Sequence, residues 1–125
     1  MNKILLTGGT GFIGSHLLQQ RAGRFQFRCL VRHASLGKVK PGPSVEVIEG
    51  DLLSEDSVKK AMEGVTTILH LGALIRRSPA EEIYRVNVEG TRRLMSEAIR
   101  QKVSRFIFVS TENALREDLN DAYAA

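Results

Sequence analysis

The strongest constraint on what this chain can fold into lies in its first fourteen positions. The short apolar run Lys3-Ile4-Leu5-Leu6-Thr7 passes without a spacer into Gly8-Gly9-Thr10-Gly11-Phe12-Ile13-Gly14, and an amphipathic segment follows at once. Glycine recurs at every third position (Gly8, Gly11, Gly14), while Gly9, Gly11 and Gly14 also satisfy G-x-G-x-x-G. Glycines in such a turn accept φ > 0 and let backbone approach a ligand. The last of them lets a following helix pack closely on the sheet. The pattern therefore predicts a buried strand, a tight turn, and a helix whose free amino-terminal N–H groups face a pyrophosphate. A mononucleotide P-loop is excluded, because Ser15-His16 stand where lysine and Ser/Thr would be needed.

The same alternation continues along the chain. Strands are expected at Phe25–Val31, Val45–Ile48, Val65–Leu71 and Phe106–Val109, after the first at Lys3–Thr7. Helices are expected from Phe12 to about Arg21, from a Ser54 N-cap through acidic Glu55 and Asp56 to about Met62, and as one long helix from Ala80 to Lys102. Lys38 to Ser44, containing Pro41-Gly42-Pro43, reads as a turn-rich connection. The strands are continuous apolar runs, as a parallel sheet covered on both faces requires. Right-handed crossovers then favour the strand order 3-2-1-4-5. The expectation is an α/β fold, a Rossmann-type doubly wound parallel sheet over residues 1–125. Thr7–Gly14, Arg32, Asp51, Gly72 and Thr111 all fall at carboxyl ends of strands, the edge where such sheets bind ligands.

Composition narrows the classes. The net charge of +4 comes from basic residues scattered over several elements without aromatic interleaving, so nucleic acid is not an expected partner. No apolar stretch approaches the length of a membrane span, and the N-terminus is strand-like rather than a leader. The expected location is cytoplasmic, with no membrane partner. The single cysteine, Cys29, leaves no internal disulfide and reads as a small buried hydrophobe. His16, His33 and His70 belong to different elements without metal-ligand spacing, so no metal is expected.

Five stretches taken together carry a resemblance: Thr7–Gly14, Gly50-Asp51-Leu52, His70-Leu71-Gly72-Ala73, Asn87-Val88-Glu89-Gly90-Thr91 and Phe108-Val109-Ser110-Thr111. In this order they resemble the short-chain dehydrogenase/reductase superfamily in its extended or atypical branch. That branch includes NAD(P)-dependent epimerases, dehydratases and sugar or hydroxysteroid reductases. The resemblance implies that Gly8, Gly11, Phe12, Ile13 and Gly14 hold the cofactor. It implies that Asp51 accepts from the adenine amine with Leu52 beside the ring, and that Leu71, Gly72 and Ala73 let the cofactor lie close to the backbone. Asn87 is implied to shape the active site.

Cofactor choice follows from the residues directly. An NAD enzyme carries Asp or Glu about twenty residues beyond the glycine loop, bonding the ribose 2′-hydroxyl. Here Val31-Arg32-His33 occupies that place. Arg32 suits a 2′-phosphate, with Lys38 or Lys40 assisting, so NADP is expected over NAD.

The resemblance further implies that Thr111 is the catalytic hydroxyl, with Ser110 the alternative, and that Tyr123 begins the family's Tyr-x-x-x-Lys pair. A lysine would be needed four residues beyond Tyr123, and the sequence stops at Ala125. Family members continue with further strands and a substrate-binding region, so the resemblance implies that the sheet is incomplete on its C-terminal side and that the chain is the N-terminal part of a larger protein acting on a small molecule. The expected function is the cofactor-binding portion of a nucleotide-sugar or related epimerase, dehydratase or reductase. The alternative is a regulatory domain that senses NADP without catalysis. The fifth strand is expected to present an apolar edge that drives homo-oligomerisation.

Overall fold

The computed structural model describes residues 2–72 and 79–110. Five parallel strands form one sheet: β1 (Lys3–Thr7), β2 (Gln26–Val31), β3 (Val45–Glu49), β4 (Thr67–His70) and β5 (Arg105–Phe108). Their order, β3-β2-β1-β4-β5, is the one the crossover rules favour. The sheet is continuous across a row at its carboxyl edge: Thr7 pairs with Leu30 on one side and His70 on the other, and His70 pairs with Phe108. The fourth strand is shorter than its apolar run. The Val65 N–H bonds the Met62 carbonyl, which keeps Val65 in the turn leaving the preceding helix.

Side-chain alternation splits the interior into two layers. On one face, Leu5, Leu30 and Ile68 pack with Val58, Ala61 and Met62 of α2 (Glu55–Met62) and with Leu94 and Ala98 of α4 (Thr91–Arg100). On the other face, Leu6, Phe27, Cys29 and Val31 are covered by Leu17 and Leu18 of α1 (Phe12–Arg21) and by Val39. Helix α2 begins as expected: Ser54 Oγ accepts from the Ser57 N–H, with Glu55 and Asp56 in the first turn.

One charge is buried in this frame for a structural reason. Arg28, in β2, is 9% exposed and donates to the carbonyls of Ala61 and Glu63 at 2.8 and 2.6 Å, while its Nε meets Glu46 Oε2 at 2.9 Å. The guanidinium thus supplies donors and positive charge at the carboxyl end of α2, where carbonyls lack intrahelical partners.

The single helix expected over Ala80–Lys102 is corrected by the structure. Helical path begins at α3 (Ala80–Tyr84), widens into a π turn over Arg85–Gly90, and resumes as α4. The wide turn carries Asn87, a poor helix former, between β-branched Val86 and Val88, which are also unfavourable in a regular α-helix. At the other end α4 stops at Arg100. The Val103 N–H reaches back to the Ala98 carbonyl at 2.9 Å, and Lys102 takes the left-handed conformation (φ 57°) that such a cap requires.

Candidate cofactor site

The glycine loop sits between the carboxyl end of β1 and the start of α1. Sterics single out two of its glycines. Gly8 has φ +78°, and a Cβ there would lie 2.8 Å from the Gly72 nitrogen. A Cβ on Gly14 would overlap the Gly8 carbonyl oxygen and lie 2.8 Å from Gly9 Cα. The loop therefore crosses over the first turn of α1 at backbone contact distance. Gly9 is different: a Cβ there would meet Leu6, Cys29 and Leu18 side chains at 3.4–3.6 Å. Cys29 lies beneath the loop, where burial pushes its thiol up to about 11 and keeps it protonated. No side chain caps Gly11, the residue preceding α1, and α-helical geometry leaves the N–H groups of the first turn without intrahelical acceptors. Phe12 and Ile13 in that turn are 80% and 60% exposed.

A cleft runs from this loop along the carboxyl edge of β2 and β3. Gly8, Arg32, Asp51, Leu52 and Gly72 line it, together with Thr7, Thr10 and Ser35. Arg32 is exposed at the end of β2 and leads a single 3₁₀ turn, His33–Ser35, in which the Ser35 N–H returns to the Arg32 carbonyl at 2.9 Å. His33 Nδ1 and Glu49 Oε1 lie 2.8 Å apart, so the carboxylate at the end of β3 is engaged beside Arg32. Asp51 Oδ1 accepts from the Leu53 N–H at 2.9 Å, which holds the exposed carboxylate at the mouth of the cleft. Gly50 is required by crowding, since a Cβ there would lie 2.8 Å from both Leu30 Cδ1 and Ser57 Cβ.

The structure thus brings Gly8, Arg32, Asp51, Leu52 and Gly72 to one cleft, with Gly11, Phe12, Ile13 and Gly14 at the helix start beside it. Leu71 turns to the α1 layer of the core. Lys38 and Lys40 lie along α1 with Ser15 and Gln19, in a groove of their own rather than with Arg32. Asn87 lies on a separate open face with Val88, Thr91, Met95 and Phe108. Ser110 is exposed just past β5. Ala73, Thr111 and Tyr123 lie outside the described residues.

Thr7 opens the glycine stretch that the sequence places at the ligand-binding edge, but its contact with His70 was not legible there. Its hydroxyl oxygen accepts from the Leu71 and Gly72 N–H groups at 3.1 and 2.9 Å and lies 2.6 Å from His70 Nδ1. His70 is 1% exposed, and desolvation pulls its imidazole down to about 4. A polar residue at the end of each of two adjacent buried strands is the signal that points to this pair. Among the described residues, no group of three His, Cys, Asp or Glu could hold a metal ion, and no helix is long and apolar enough to cross a membrane.

Residues 4–119 match the NAD dependent epimerase/dehydratase family. The chain belongs to that family. Among curated relatives, sterol demethylase protein B of Methylococcus capsulatus is 37% identical over 89% of this chain and 35% of its own length. Ceramide reductase of Caulobacter vibrioides is 34% identical over 98% of this chain and 38% of its own length. Among solved structures, the uronate dehydrogenase of Agrobacterium tumefaciens in complex with NAD superposes with a TM-score of 0.76 at 27% identity, covering 89% of this chain and 41% of that one. The chain therefore spans between a third and a half of the length of these members of the epimerase/dehydratase family.

Proposed function

We propose that this chain binds NADP along the carboxyl edge of its sheet and forms the cofactor-binding part of an epimerase, dehydratase or reductase acting on a nucleotide sugar or a related small molecule. The observation that carries the reading is the crossing of Gly8 over Gly14. It leaves no room for a Cβ, and the first-turn N–H groups of α1, which helix geometry leaves without intrahelical acceptors, would face a pyrophosphate laid along the loop. This cradle fits a pyrophosphate. Asp51 and Leu52 would meet the adenine, and the slender Gly72 backbone would let the ligand pass toward the end of β4. Arg32 would pair with a 2′-phosphate. Glu49, paired with Val31 in the sheet register, has its Oε1 against His33 Nδ1.

When bound, the nicotinamide supplies or takes up a hydride at a substrate carbon bearing a hydroxyl or carbonyl. Thr111, with Ser110 as the alternative, would hydrogen-bond the substrate oxygen, and Tyr123 would exchange its proton. Asn87 would shape the site from the helix opposite. A second copy of the chain is the proposed partner at the β5 edge, where Ile107, Phe108 and Val109 are 41%, 53% and 44% exposed.

Titration with NADPH and NADH, followed by nicotinamide fluorescence, tests the reading. Saturable binding with NADPH the tighter ligand is expected. Tighter NADH would overturn the 2′-phosphate assignment, and no binding of either would overturn the site.

A further inference from the structure

The hydrogen bonds around His70 fix where its ring proton resides. Thr7 Oγ1 already accepts two backbone N–H groups, from Leu71 and Gly72, so its own proton points to His70 Nδ1. With Nδ1 accepting, the ring carries its proton on Nε2 and donates it to Thr91 Oγ1 at 2.8 Å. The imidazole is buried against Phe108, whose ring stacks on it at 5.4 Å, and meets Phe106 edge-on at 6.3 Å. This chain of bonds runs from the end of β1 through β4 to the first residue of α4.

Thr91 directly follows the π turn that carries Asn87. Its neighbours rest on the other side of the cleft. A Cβ on Gly90 would lie 3.2 Å from Leu52 Cβ, and Arg93 donates to the Leu53 carbonyl. The amino end of α4 therefore touches both the Asp51–Leu53 loop and the strand end that supports Gly72.

We propose that His70 and Thr91 form a latch, in which the Nε2–H···Oγ1 bond fixes the Asn87-bearing turn in register with the glycine loop. Both are then positioning residues. The consequence for cofactor rests on the dinucleotide reading: filling the cleft stiffens the Asn87 turn through this bond. A π turn has weaker intrinsic support than regular α-helix, so an external tether has most effect there.

The test uses the whole chain, ¹⁵N-labelled. The His70 ring is expected to show protonated Nε2 and bare Nδ1; a protonated Nδ1 overturns the latch. In Thr91→Val, amide exchange over residues 85–91 should rise about tenfold, the worth of one hydrogen bond, while residues 12–21 stay unchanged. Thr91→Ser should restore it. Wild-type exchange in Thr91→Val, or failure of Thr91→Ser to rescue, overturns the proposal. Added NADPH should protect residues 85–91 in the wild type and not in Thr91→Val; equal protection breaks the link to cofactor. If the wild type binds neither dinucleotide, the proposed function fails, and the exchange data still decide the latch.

Discussion

Thr7 Oγ1 and His70 Nδ1 lie 2.6 Å apart on residues paired in the register of β1 and β4. An imidazolium cannot accept the Thr7 proton, and burial already holds the His70 pKa at about 4, against 6.5 for a free histidine. As the pH falls between these values, the unfolded chain takes up a proton that the folded chain refuses, so stability present above about 6.5 is lost toward about 4. The loss amounts to about 3 kcal/mol at most. Urea titrations at pH 7, 5.5 and 4.5 should show this decline, with a shallower slope in His70→Phe. Equal slopes in the two proteins would remove His70 as the cause.

The glycines of the loop should differ in tolerance. Gly14→Ala and Gly8→Ala place a methyl group into backbone and should each destabilise by about 2 kcal/mol or more, and abolish NADPH binding. Gly9→Ala meets only side chains and should fold with a cost below about 1 kcal/mol. Thermal melts of the three variants check the ranking; a Gly14→Ala protein with wild-type stability and affinity contradicts it.

Replacing Arg32 by Asp should weaken NADPH by tenfold or more, about 1.5–3 kcal/mol for a lost charge-assisted bond, and improve NADH. Fluorescence titration of both cofactors reads the switch. Unchanged NADPH affinity would remove Arg32 from the site.

Arg28 and Glu46 should separate in a mutational comparison. Arg28→Leu leaves the Ala61 and Glu63 carbonyls without their donor and should cost about 2–3 kcal/mol. Glu46→Gln removes a half-exposed partner and should cost less than about 1 kcal/mol. Equal losses by chemical denaturation would place the stabilisation in the ion pair instead of the helix end.

Lys102 holds a backbone conformation that glycine adopts without penalty. Lys102→Gly should therefore stabilise the chain by about 0.5–1 kcal/mol, read as a rise in melting temperature. A lower melting temperature would mean that the lysine side chain contributes more than its backbone strain costs.

The sheet order and the cleft-lining residues Gly8, Arg32, Asp51 and Gly72 were legible because each depends on local signals: apolar runs, turn glycines, and polar residues at strand ends. The wide turn was not legible. Of the apolar positions Ile83, Leu94, Ala98 and Ile99, only Ile83 precedes it, too few on that side to register one extra residue. The contact between Thr7 and His70 was not legible for another reason: both lie in stretches the sequence singles out, but their relation exists only once β1 and β4 pair across sixty-three residues of sequence. Lys38 and Lys40, expected to assist Arg32, follow it closely in the chain. The loop instead carries them to the far side of the glycine turn, along α1.

The π turn at Arg85–Gly90 changes the phase of the helix that contains it. Each residue of a regular α-helix turns the axis by about 100°. The wide turn takes up one residue more than an α-helical turn without breaking the path, so α3 residues lie about 100° from where an unbroken α-helical count from α4 would put them. Residues before and after the turn thus follow two different sequence counts on one continuous helix.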